Sequence, residues 1–171
     1  MITKEQEIDQ VDQIIYQWSR VRPDLDVSPM GIVGRISRLG VLLVKEQTKV
    51  FERYGLDFAA FDVLATLFRS GSPYELSPSH LARSMMVTPG AVTQRLTRME
   101  SDGLIARTHN TDDRRGVTVR LTEQGQKLVG IVLPEHLANE RRLLSALNAS
   151  ELADFASLLR KMLLFEGDLP A

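Results

Sequence analysis

Between Ser77 and Gly125 the chain gathers side chains suited to gripping a polyanion. Gln94 and Arg98 stand four positions apart in a segment of helical periodicity, so they share a face with the small residues Gly90 and Ala91. An amide can pair with adenine, a guanidinium reaches guanine or phosphate, and small neighbours allow close approach. Val92, Leu96 and Met99, continued by Leu104, fall on the opposite stripe and are expected to face a core. The hydroxyls of Ser79, Thr88 and Thr93, with Pro89, complete the candidate DNA-contacting set on this side. Further along, Arg114 and Arg115 sit at the tip of a turn, Asn110 to Gly116. Arginines on a ribbon tip suit the negative potential of a narrow minor groove. Asp112 and Asp113 can also pair with them, with Asp113 bracing Arg115 and Arg114 freer to touch DNA.

A second set of residues offers different chemistry. Asp62 is the only charge between Phe58 and Phe68, in a segment apolar on nearly every side. A carboxylate there needs a partner, either a structural cation or a site built around it. Arg95 lies at the edge of the buried stripe of its helix, and Arg107 lies on the first of two alternating segments. Trp18 occupies the apolar face of an N-terminal amphipathic helix, where it serves packing or presents a flat ring and an N–H.

The elements that must position these groups are legible from periodicity. Ile8, Val11, Ile14, Ile15, Trp18 and Val21 recur at helical spacing, which predicts a helix over 4–21. Three further helices are announced by a hydroxyl residue before proline: Ser28-Pro29, Ser77-Pro78 and Thr88-Pro89. The first opens a long helix over about 29–54, and another follows over about 57–69. Ile105 to His109 and Val117 to Leu121 alternate as strands. A helix is expected from Thr122 to about Leu147, kinked at Pro134, and Asn148-Ala-Ser-Glu151 begins the last one, to about Glu166. The expected fold is mainly α with a small antiparallel β-wing, a winged helix-turn-helix. It is organised as an N-terminal helix over 1–28, helices over 29–56 and 123–171, and a lobe over 57–122.

Bulk composition narrows the function classes. The 171 residues carry 43 % hydrophobic and 25 % charged residues, ordinary for a chain with its own core. Net charge is −1, but residues 81–120 hold seven arginines against four acids, a local +3 that leaves −4 for the rest. A basic face on an acidic body can still orient on phosphate. The absence of cysteine excludes disulfides, thiolate metal sites and thiol redox sensing. His80, His109 and His136 lack metal-ligand spacing, and no nucleophile–base pair or phosphate-cradling glycine loop is present, so neither a cofactor nor an enzyme is expected. The polar N-terminus and the lack of a spanning apolar run point to the cytoplasm rather than a membrane.

The run Asp113-Arg-Arg-Gly-Val-Thr-Val-Arg-Leu121-Thr-Glu-Gln-Gly125, with the two helices before it, resembles the MarR family of winged helix-turn-helix regulators. Asp112 stands where many members carry arginine. The resemblance extends over nearly the whole chain. It implies a homodimer joined through N- and C-terminal helices, reading a pseudo-palindromic double-stranded operator, more often as repressor than activator. It also implies that 1–28 is an extra helix, 29–56 and 123–171 are dimerisation helices, and 57–122 is a DNA-binding lobe. Trp18, Asp62, Arg95 and Arg107, together with Ser28-Pro-Met30 and Gly34-Arg-Ile36, resemble the urate-responsive subgroup. That likeness implies a ligand site of those four residues for a planar aromatic anion. Urate, indole-3-acetate and salicylate-like acids all fit such a set; a DNA binder that ignores ligands is the alternative.

Overall fold

The computed structural model describes residues 8–85, 92–109 and 117–169. Within them lie α1 (Gln10–Val21), α2 (Met30–Glu52), α3 (Phe58–Arg69), β1 (Glu75–Leu76), α4 (Pro78–Ser84) and α5 (Val92–Ser101). These are followed by β2 (Ile105–His109), β3 (Val117–Leu121), α6 (Glu123–Leu143) and α7 (Ala149–Phe165). The chain divides into two compact units, Met1–Lys45 and Glu46–Ala171, with α2 passing from one to the other.

In the first unit α1 starts at Gln10, and residues 4–7 of the expected helix lie outside the described residues. Asp9 caps it, accepting from the N–H groups of Val11 and Asp12, while Asp12 returns the bond to the Asp9 N–H. This reciprocal box satisfies donors that would otherwise be orphaned. Arg35 of α2 then ties the two helices, reaching Asp9 at 2.8 Å and Asp12 at 2.7 Å. Val11 is buried, and a side chain at Gly34 of α2 would press against it, so the glycine permits the approach. The start of α2 differs slightly from the expected serine–proline signal. Asp26 accepts the Ser28 N–H, and short-range bonds from Met30 to Val27 and from Gly31 to Ser28 lead into the helix.

The second unit holds the main core. Phe51, Leu64, Leu67, Leu81, Ile105, Val119, Leu121, Val129 and Val132 are almost wholly excluded from solvent. They come from α2, α3, α4, β2, β3 and α6, so this cluster joins the helices to the sheet. Phe51 stacks on Phe61 with ring centres 4.3 Å apart. α3 is apolar on nearly every side, Asp62 excepted, and is buried along most of its length, as a helix central to a core must be.

β2 and β3 form where the alternation predicts, with Ile105 opposite Leu121, Arg107 opposite Val119 and His109 opposite Val117. The sheet has a third strand that periodicity does not announce. β1 pairs antiparallel with β3, Leu76 opposite Val119, giving the order β1-β3-β2. Two residues are too short for a period to show. α6 runs continuously through Pro134 and stops at Leu143, four residues short of expectation, because the chain turns through Leu144 to Leu147 before the Asn148 cap.

Candidate nucleic-acid interface

α4 and α5 carry the predicted reading elements. Ser77 caps α4, its hydroxyl accepting the His80 N–H at 3.3 Å, with Pro78 at the first helical position. Ser79 is exposed beside it, its hydroxyl 3.2 Å from that of Ser77. Arg69 of α3 donates to the carbonyl of Ser84, closing the other end of α4. On α5 the two stripes separate as their spacing requires. Leu96 and Met99 are 2 % exposed and seat the helix on the core, with Leu104 beyond them. Gln94 and Arg98 face outward. The Arg98 side chain is 80 % exposed, and the carboxylate it pairs with, Asp102, is 3.8 Å away. Such a loose pair leaves the guanidinium available to a stronger anion. Thr93 lies in α5, and its side chain is outside the described residues, as are Thr88, Pro89, Gly90, Arg114 and Arg115.

The hairpin behind α5 is fastened to that helix by Arg107. Its backbone N–H donates to the Glu100 carboxylate at 3.2 Å, and its Nη2 donates to the Thr97 hydroxyl at 2.7 Å. Its Nε lies 3.1 Å from the same carboxylate, near enough for charge pairing although not aligned for a hydrogen bond. The base of the strand pair is fixed independently. The Thr122 hydroxyl caps α6, accepting the Gly125 N–H at 3.0 Å while donating to the Gly103 carbonyl at 2.7 Å.

A cavity of about 460 Å³ opens between the C-terminal end of α2, the start of α3 and α5. Leu56, Ala60, Met99 and Leu104 supply its apolar wall, and Asp57, Gln94, Arg95 and Arg98 are among its polar groups. A space of this size suits a small aromatic molecule. Arg95 points here, 25 % exposed, with Nη1 against both carboxylate oxygens of Asp57. Asp57 also caps α3 through the Ala60 N–H at 2.8 Å. Partial burial works to raise the Asp57 carboxyl, but the hydrogen bonds from Arg95 and Ala60 outweigh it and hold the group below the usual carboxylate range.

Of the four residues that the likeness to urate-responsive regulators brings forward, only Arg95 lines this cavity. Asp62 is buried in α3 at 5 % exposure and is partnered. Arg107 is engaged with Glu100 and Thr97. Trp18, on α1 of the first unit, is 42 % exposed. The residues that sequence reasoning missed are Asp57, Glu100 and Thr97. Asp57 carried one readable signal, its place just before an apolar helix.

Among the described residues, seven helices accompany a small antiparallel sheet, and the sheet is fastened to an exposed helix bearing Gln94 and Arg98. This is a winged helix-turn-helix, the fold of a DNA-binding transcriptional regulator rather than an enzyme. The MarR family model matches residues 58–117. Over 153 residues the chain is 40 % identical to the HTH-type transcriptional regulator PecS of Dickeya dadantii, covering 90 % of this chain and 92 % of that protein. The chain belongs to the MarR family. It is also 38 % identical over 117 residues to the transcriptional repressor MdtR of Bacillus subtilis, covering 68 % of this chain and 74 % of that one. Among solved structures it is similar to Bordetella bronchiseptica BpsR, whose DNA binding is regulated by 6-hydroxynicotinic acid. That likeness has a TM-score of 0.69 and 26 % identity, covering 77 % of this chain and 98 % of BpsR.

Proposed function

We propose that two copies of this chain bind a pseudo-palindromic operator and repress transcription until a small planar aromatic anion, urate or an aromatic carboxylate, releases them. Gln94, Arg98 and Ser79 make the contacts from α4 and α5. Thr88, Pro89, Gly90 and Thr93 act beside them, and Arg114 and Arg115 reach the minor groove. The observation that carries the effector half is the position of Arg95. It belongs to the helix that reads DNA, yet it turns into a cavity of about 460 Å³ instead of outward. An anion drawn to that guanidinium acts directly on the aim of the helix. A bound anion and a bound operator then oppose one another reciprocally, by a factor of about 5 to 150 for a typical coupling.

Two relatives support this reading. MdtR is a repressor, and the BpsR effector is a planar aromatic acid. Asp62 and Arg107 are proposed to act with Arg95 by adding charge and donors around the anion, while Trp18 enters on the resemblance alone. The regulator is proposed to work in the cytoplasm.

Gel shifts on the chain's own upstream promoter fragment test the proposal, with urate, indole-3-acetate and salicylate titrated in turn. At least one of the three is expected to release the wild-type complex, and Arg95→Ala is expected to lose most of that response. A complex indifferent to all three, or an Arg95→Ala complex released at the same concentrations, overturns the effector assignment.

A further inference from the structure

We infer that the Asp57 carboxylate is a built-in competitor of the effector, occupying the Arg95 guanidinium that an incoming anion must take. The inference rests on the proposed role of Arg95 and adds a residue that sets how tightly the effector binds. Both oxygens of Asp57 lie against Nη1 of Arg95, and both residues line the same cavity. Asp57 is not a loose surface acid that wanders into range. Its Oδ1 is pinned by the Ala60 N–H as the cap of α3, so the helix start sets where the competing carboxylate stands.

The exchange is inexpensive in both directions. When Arg95 leaves, Asp57 keeps its bond to the Ala60 N–H and is 54 % exposed, so water solvates the freed charge. When the anion leaves, Arg95 has a partner waiting and its half-buried charge is not left unpaired. A competitor of this strength trims affinity without abolishing it, because an ion pair so exposed is worth little. An effector must therefore offer a charge spread over oxygens that match the fork of the guanidinium at least as well as a carboxylate does. Neutral aromatics of the same size gain nothing from displacing Asp57.

Asp57→Asn provides a clean test, since asparagine caps a helix as well as aspartate while losing the charge. Asp102→Asn is its control: Asp102 lines the same cavity and removes the same charge, but its neighbour is Arg98 rather than Arg95. Calorimetric titration of the 171-residue chain with urate, indole-3-acetate and salicylate gives the readout. Asp57→Asn is expected to bind the active probe about two- to fivefold more tightly than wild type, the span an exposed ion pair supplies. The gain should vanish in the Asp57→Asn/Arg95→Gln double variant, and Asp102→Asn should show none. Equal affinity in wild type and Asp57→Asn, with Arg95→Gln still weakened, overturns the competitor and leaves the role of Arg95 standing. An equal gain in Asp102→Asn also overturns it, as general electrostatics. Undiminished binding by Arg95→Gln, or no binding of any of the three probes, overturns the reading of Arg95 and the competitor together.

Discussion

His136 is a titratable side chain set largely in apolar surroundings. Its ring lies 5.1 Å from Phe51 and 4.9 Å from Phe61, with Nε2 3.2 Å from Glu140. Burial pushes its pKa below the ordinary 6.5, and the charge of Glu140 only partly opposes this. The folded state therefore takes up its proton at lower pH than the unfolded chain. Stability is full above about pH 6.5 and is lost as pH falls through that value, until the folded ring also protonates; the slope for one proton stays below about 1.4 kcal/mol per pH unit. Urea unfolding between pH 7.5 and 5.5 should show the midpoint falling, and His136→Leu should flatten the fall. An unchanged slope in that variant assigns the effect elsewhere. Single residues were readable from sequence where their neighbours were local. Leu96 and Met99 turned inward and Gln94 and Arg98 outward because 100° per residue leaves no choice. The partner of Arg95 was not readable, since Asp57 lies 38 positions away and only the folded chain brings the two together.

At the scale of elements, the junction of β3 with α6 explains why the run Leu121-Thr122-Glu-Gln-Gly125 has its pattern. Leu121 is buried, Thr122 caps the helix, and a Cβ at Gly125 would collide with the Leu104 carbonyl oxygen. The glycine is required by close approach rather than by an unusual backbone angle. Gly125→Ala must push α6 away from the strand and is expected to cost about 1–3 kcal/mol, the range for overpacking a filled site. Thr122→Ala loses a cap and an anchor to Gly103, at about 1 kcal/mol. Chemical denaturation measures both, and a Gly125→Ala variant as stable as wild type removes the packing argument. The motif was visible in sequence as a resemblance; its physical cause was not, because it depends on a backbone atom 21 positions earlier. β1 was invisible for another reason. Its two residues acquire meaning only from their pairing with β3.

At the scale of the molecule, α7 poses a question that one chain does not answer. None of its residues is buried, although Leu158, Met162 and Phe165 lie on one stripe at 62 %, 47 % and 87 % exposure. A row of large apolar side chains in water calls for a covering partner. In the proposed homodimer that partner is a second copy, and symmetry makes the patch meet its own counterpart. Because these residues contribute nothing to the core of a single chain, charging them separates assembly from folding. Leu158→Glu/Met162→Glu should keep its helical circular dichroism and its unfolding midpoint at low protein concentration. Its sedimentation should shift from dimer toward monomer. Operator affinity should then fall steeply, since each copy offers one recognition helix and loses the second half-site. The loss should be accompanied by a shallower dependence on salt, because the slope counts the phosphates contacted. A double variant that stays dimeric and binds as wild type does would move the interface off α7. A wild-type chain that sediments as a monomer would leave the paired half-sites without a reader.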